Sequence, residues 1–169
     1  LVAAARLLRQ RDIPVRIRVV GAPDIENPTA VSERELQRWT ADGLIDWTGP
    51  TDDVPKVWHS SHIAVLPSHR EGLGMSLIEA AACGRPAVTT DVPGCRQAVQ
   101  DDETGLLVPP KDPAALANAI GKLVFDPDLR HRLGQAARFR AEAEFGLDAV
   151  RAQLMELYRE LLSDRSTAT

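Results

Sequence analysis

Glu71 and Glu79 stand eight positions apart, bracketing the short glycine loop Gly72-Leu73-Gly74. Two carboxylates flanking such a loop could line a site for a ligand that carries both hydroxyls and phosphates. Gly72 and Gly74 permit close backbone approach and positive φ. The helix expected to start after them would direct unpaired N–H groups and a partial positive charge back at the loop. A pyrophosphate fits such a helix start, and a sugar hydroxyl can bond to exposed amides beside it. The competing reading is a flexible turn that only leads into a helix.

Glu79 is the one ionisable residue between Leu77 and Cys83, in a run (Leu-Ile-Glu-Ala-Ala-Ala-Cys) that otherwise reads as buried. A carboxylate in such a place needs donors. A ribose offers two adjacent hydroxyls, and an ionised carboxylate can accept from both. A glutamate capping a neighbouring loop is the alternative. Glu71, before the helix, should lie near the sugar end of a ligand whose diphosphate meets the helix start, unless it is a first-turn glutamate favoured by the helix dipole. No His or Asp cluster accompanies the pair, so no metal site is indicated.

Other chemistry-bearing residues read as structural. Among His59, His62, His69 and His131, only His69 falls in the loop, and none has a partner at metal or triad spacing. Ser76 suits a cap better than a nucleophile, because no GxSxG surrounds it. Cys83 reads as a small packed side chain, and with Cys95 it forms neither a CxxC pair nor a disulfide framework, which fits a reducing cytoplasm. Trp39, Trp47 and Trp58 are most simply packing residues.

The elements that must position the loop alternate. A helix over Leu1–Gln10 leads to a strand over Val15–Val20. A polar loop over Ala22–Ala30 leads to a helix from Ser32 to Trp39, with Glu35 completing a capping box. A strand over Leu44–Trp47, a helix over Val54–Ser60 and an almost wholly apolar strand over His62–Leu66 come next, the last stopped by Pro67 and Ser68. A helix from Met75 to Cys83 then leads into strands at Ala87–Thr90 and Leu106–Val108. Alternation of this kind predicts a doubly wound, mostly parallel α/β sheet flanked by helices. From Asp112 the chain reads as helices over Ala114–Val124, Leu129–Phe145 and Leu147–Leu162, with a polar, frayed tail over Ser163–Thr169.

In such sheets ligands sit outside the carboxyl ends of the strands. Gly21–Asp24, Gly49–Asp53 and Pro67–Gly74 are therefore the informative loops.

At 169 residues, with 44% hydrophobic and 26% charged residues, the chain suits one globular domain. Its formal net charge of -4 and its lack of a Lys/Arg run give no footprint for nucleic acid. No stretch approaches the roughly 20 apolar residues of a membrane helix. The first residue, Leu1, falls inside an amphipathic pattern, as expected of a piece of a longer protein. Absence of GxGxxG after an early strand disfavours an NAD dehydrogenase.

The run from Pro67 through Glu71, Gly72, Leu73, Gly74, Met75, Ser76 and Glu79 to Pro86 resembles the E-x7-E signature of glycosyltransferase family 4. Thr90-Asp91-Val92-Pro93-Gly94-Cys95 is similar to that family's next turn, and Thr104-Gly105-Leu106-Leu107-Val108-Pro109-Pro110 to its "tGllvpp" segment.

The resemblance covers roughly Val15–Phe145. It implies the C-terminal, Rossmann-like half of a GT-B enzyme that transfers a sugar from a nucleotide-diphosphate donor to a glycan, lipid or small-molecule acceptor, with retention and without a metal or other cofactor. By that resemblance Glu79 binds the ribose, Glu71 sits beside the donor sugar as the catalytic candidate, and Gly72–Met75 contact sugar and diphosphate. Gly49 and Pro50 lie near the base. The family's Arg and Lys for the diphosphate would precede Leu1. Arg70, Arg85 and Arg96 are candidate substitutes, with exposed salt bridges the stronger expectation for each.

The implied organisation is residues 1–145 as an N-terminally truncated nucleotide-sugar domain. Residues 146–169 would form a helix and tail that pack on a missing N-terminal domain. The stripe Val150, Leu154, Leu157 and Leu161, left bare in an inactive isolated fragment, would promote self-association. The full-length protein would be cytoplasmic or membrane-peripheral. A GT-B epimerase or phosphorylase, and a module that binds nucleotide sugars without turnover, are the alternative readings.

Overall fold

The computed structural model describes residues 1–24, 26 and 30–166. Part of the expected Ala22–Ala30 loop (residues 25 and 27–29) and the last three residues of the expected tail lie outside the described residues. The order is α1 (Val2–Gln10), β1 (Arg18–Val19), α2 (Glu33–Ala41), β2 (Asp46–Trp47), α3 (Val54–His59), β3 (Ala64–Leu66), α4 (Met75–Ala82), β4 (Ala87–Thr90), α5 (Pro93–Ala98), β5 (Gly105–Val108), α6 (Pro113–Phe125), α7 (Pro127–Phe145) and α8 (Leu147–Ser166).

Every described strand pair is parallel, as the alternation predicts. The strands nevertheless fall into two sheets, β1-β2 and β3-β4-β5, rather than one. The first of these strands is short. Pro14 has no N–H to give a ladder, the Val15 amide turns back to Ile13 O (2.9 Å), and only Arg18 and Val19 pair with Asp46 and Trp47. Side chains along 13–19 still alternate, with Pro14, Arg16 and Arg18 exposed and Ile13, Val15, Ile17 and Val19 turned inward. Ile17 packs on both the main core and the Leu36, Leu44 and Ile45 cluster, and so joins the two sheets.

The larger sheet is buried on both faces. Val88 joins Leu8, Leu106, Val108, Ile120, Leu123 and Leu133 on one side, while Ala87 joins Leu77, Ala80, Cys95 and Val99 on the other. All four positions of β4 are buried, the condition that favours a near-continuous apolar strand.

Helix ends obey local chemistry. Ser32 and Glu35 form the expected capping box, and the Ser32 hydroxyl and amide hold the Glu35 carboxyl below its ordinary range. Asp53, Asp112 and Asp126 cap α3, α6 and α7, each with a proline in the first turn.

Two expectations are corrected. The segment Thr90–Cys95, read as a turn, runs from Pro93 into the helix α5: Pro93 is preset for a first helical position, and Gly94 masks the helix propensity of the residues after it. The tail expected from Ser163 stays helical as far as Ser166, because no Gly or Pro interrupts it.

Candidate functional site

The carboxyl ends of the strands carry the loops singled out by the sequence. Beyond β1 and β2, the Gly21 amide donates to Gly49 O (2.8 Å) and the Trp47 indole N–H donates to Gly21 O (2.8 Å). The two turns are thus tied together. Gly49 adopts φ 72°, a conformation its missing Cβ makes easy to reach, and it presents Pro50 at the surface.

Beyond β3 the chain enters the loop Pro67–Gly74. Two threonines of β4 hold its start. Thr89 donates to Leu66 O (2.7 Å) and Thr90 donates to Ser68 O. Both threonines are buried (0% and 3% exposed), so their hydroxyls require partners, and the exit of β3 supplies them. The Ser68 hydroxyl in turn donates to Glu71 Oε2 (3.2 Å), leaving Glu71 half-buried at the mouth of the loop.

Among the described residues, the amides of Gly72, Leu73, Gly74, Met75 and Ser76 have no acceptor within the chain; the first bonds of α4 are Leu77 N and Ile78 N to Gly74 O. This is a run of free donors at the positive end of an eight-residue helix. Gly74 is the N-cap, with φ -59°. Neither Gly72 nor Gly74 takes the positive φ expected of it. Ser76 is not a cap either, since α4 starts at Met75 and no side chain caps it. His69 and Arg70 are exposed.

Glu79 also differs from expectation. It is exposed, because α4 buries Leu77, Ile78, Ala80 and Ala81 and turns Met75, Glu79 and Ala82 outward at helical spacing. Its carboxylate needs no internal donor and has none among the described residues. Cys83, at the end of α4, is half-buried rather than packed away.

The loop after β4 closes over the first. Gly94 is buried, and a Cβ placed on it would fall well inside contact with the carbonyl of Glu71 and 2.6 Å from Gly72 O. Its φ is not positive, so the requirement there is one of space. Beside it, Arg96 pairs with Asp91 (2.7 Å), the salt-bridge role expected of that arginine.

Arg85 is excluded from this site by topology. It precedes β4 and, with His62, Pro86, Arg130 and His131, lines a shallow depression of about 250 Å³ at the amino ends of the strands, where its Nε donates to Cys83 O (3.1 Å). Among the described residues, no group of three or more His, Cys, Asp or Glu side chains is placed to hold a metal ion. No helix of the described residues is long and apolar enough to cross a membrane.

The sequence profile of the family described as "Glycosyl transferases group 1" matches residues 1–126. The chain belongs to the group 1 glycosyl transferases. It is 34% identical over 167 residues to the D-inositol 3-phosphate glycosyltransferase of Corynebacterium urealyticum, an alignment covering 95% of this chain and 39% of that protein. Sucrose-phosphate synthase from Thermosynechococcus elongatus superposes with a TM-score of 0.78 at 32% identity, over 96% of this chain and 42% of its own. HepE from Anabaena, solved in complex with UDP, superposes with a TM-score of 0.82 at 23% identity, over 94% and 44%. The chain spans about two fifths of the length of the curated relatives it matches. Its fold is that of one half of these GT-B enzymes.

Within this group 1 domain, sequence reasoning brought Glu71, Gly72–Ser76 and Glu79 to one rim, and the structure places them there together, with Gly49 and Pro50 on the same side of the fold, after β2. It assigned no part to Thr89, Thr90 or Gly94. The signal for the threonines was present: two hydroxyls ending the buried strand Ala-Val-Thr-Thr must bond to something nearby. Gly94 carried no such signal, because its neighbour lies more than twenty residues back along the chain.

Proposed function

We propose that this chain is the donor-binding domain of a retaining glycosyltransferase of family 4. Such an enzyme transfers a sugar from a nucleotide-diphosphate donor to an acceptor glycan, lipid or small molecule held by the enzyme's other domain. One observation carries this reading: the run of amides from Gly72 to Ser76, unpaired among the described residues, lies at the start of α4 between two carboxylates, on the carboxyl rim of a parallel α/β fold.

In this reading Gly72–Ser76 meet sugar hydroxyls and the diphosphate through their N–H groups. Glu79, free and exposed, accepts from the ribose hydroxyls. Glu71, oriented by Ser68, stands beside the donor sugar as the catalytic candidate. Gly49 and Pro50 flank the base. Catalysis consists of orienting the donor and stabilising the leaving diphosphate while the sugar gains oxocarbenium character, with no covalent nucleophile among these residues. By its resemblance to family 4 the reaction needs no metal, and the helix amides meet the charge of the diphosphate. The reading is supported by group 1 membership and by the UDP held by HepE.

The domain comprises residues 1–145. Helix α8, whose Val150, Leu154, Leu157 and Leu161 are about half exposed, packs on the enzyme's other domain in a cytoplasmic or membrane-peripheral enzyme. Without that domain the chain does not turn over, and the bare stripe favours self-association.

Calorimetric titration of the chain with UDP, GDP and ADP tests the assignment. One nucleotide is expected to bind, and Glu79→Ala should weaken it about 10- to 100-fold, as expected for lost hydrogen bonds to a charged group. Unchanged affinity in that variant would remove the ribose role.

A further inference from the structure

We propose that the turn from β4 into α5 is a brace that sets the position of the donor loop, with Gly94 and Thr90 as positioning residues acting through backbone rather than through the ligand. This rests on reading residues 71–76 as the donor loop. The loop has few means of holding its own shape: none of its amides from Gly72 to Ser76 is bonded within the described chain, and Leu73 and Met75 are exposed at 38% and 58%. Its end is tied to α4 through Gly74 O, which accepts from Leu77 N and Ile78 N, and the fixed points of its start come from elsewhere.

Three of them converge from β4 and the first turn of α5. Thr90, 3% exposed, donates to Ser68 O and so fixes the residue whose hydroxyl holds Glu71. Thr89 fixes Leu66 O one step earlier (2.7 Å). Gly94 backs directly onto the peptides of Glu71 and Gly72, so closely that the smallest side chain would push the Glu71 carbonyl away. Moving that carbonyl rotates the Glu71–Gly72 peptide and re-aims both the Glu71 side chain and the first free amide of the run.

Gly94 is itself held in place. α5 packs Cys95 (0% exposed) and Ala98 (5%) into the core, Arg96 is tied to Asp91, and the Arg140 guanidinium of α7 donates to Gln97 O (2.8 Å). The brace is therefore stiffer than the loop it supports, and a change in it is felt at the loop. Preorganised donors bind an anion more tightly than mobile ones, since less freedom is lost on binding.

Backbone 15N relaxation on the chain, without ligand, tests this. In the wild type the amides of Gly72 and Gly74 should be nearly as ordered as the sheet, with order parameters near about 0.85. In Gly94→Ala and in Thr90→Val they should fall below about 0.6, while Val88 and Leu106 stay unchanged. Thr90→Ser, which keeps the hydroxyl, should restore the wild-type values. For any of UDP, GDP or ADP that the wild type binds, Gly94→Ala should weaken binding roughly tenfold and Thr90→Val about fivefold.

Loop amides as ordered in Thr90→Val as in the wild type, or Thr90→Ser failing to rescue, would overturn the brace even if Gly94→Ala does not fold. If the wild type binds no nucleotide, the donor-loop reading fails, and the relaxation data still decide the brace.

Discussion

The two rims of the larger sheet each contain a glycine pressed against backbone, and they use it differently. At the amino rim, a Cβ on Gly134 of α7 would run into Gly84 O and come within 3.2 Å of the Pro86 ring. That contact lets α7 lie on α4 through Ala81, Ala137 and Ala141, and the arginines around it are occupied: Arg130 donates to Leu123 O and Val124 O, and Arg85 to Cys83 O. At the carboxyl rim, Gly94 presses on a loop whose amides are left free and whose Glu79 is unpaired among the described residues. At one rim the arginines are bonded within the fold, and at the other the amides of Gly72–Ser76 have no acceptor among the described residues. The ends of a parallel sheet differ in kind, because only the carboxyl rim receives the amino ends of the helices that follow the strands.

Variants can break or sharpen that contrast. The largest effect is expected for Gly134→Ala, which overpacks a helix–turn contact within the core and should cost about 2–3 kcal/mol of stability, read as a lower denaturant midpoint. Nucleotide affinity in the fraction that stays folded should be unchanged. A destabilisation below about 0.5 kcal/mol would mean that α7 can move away from Gly84 at little cost.

A smaller effect belongs to α2, remote from both rims. The Glu35 carboxyl is held below its ordinary range by Ser32, so its cap contributes fully above the unfolded carboxylate pKa of about 4.3 and is lost as pH falls through the lower folded value. The melting temperature should decline over that acid window, and Ser32→Ala should lower it at neutral pH and flatten that decline. An unaltered acid slope would assign the decline to other carboxylates.

The smallest is Arg85→Ala, for which nucleotide affinity should equal that of the wild type, because Arg85 lies at the wrong end of the strands. A clear loss would move the ligand to the amino rim.

Much of this was legible in the residues. The apolar run Ile63–Leu66, stopped by Pro67 and Ser68, fixes where a buried strand ends. The paired glutamates and the glycines mark the loop beyond it. The capping box is local chemistry and is found where local chemistry puts it. The misreadings have physical sources. Glu79 was expected to be buried because alanines around it look like core, yet Ala82 is exposed and the outward stripe is Met75, Glu79 and Ala82.

The shortness of β1 was hidden because Pro14 and the turn at Val15 cut its ladder without altering its alternation. Gly94 could not be found locally at all: its requirement is the Glu71–Gly72 backbone, brought to it only by the parallel register of β3 on β4.

The free amides at the start of α4 are the groups proposed to receive a diphosphate. The most direct test is to add UDP to 15N-labelled chain and follow every assigned amide. The largest shifts should fall on Gly72–Ser76, with smaller ones near Gly49 and none at Arg85 or His131. Saturable binding with shifts centred on the amino rim, or with Gly72–Ser76 unmoved, would contradict that assignment.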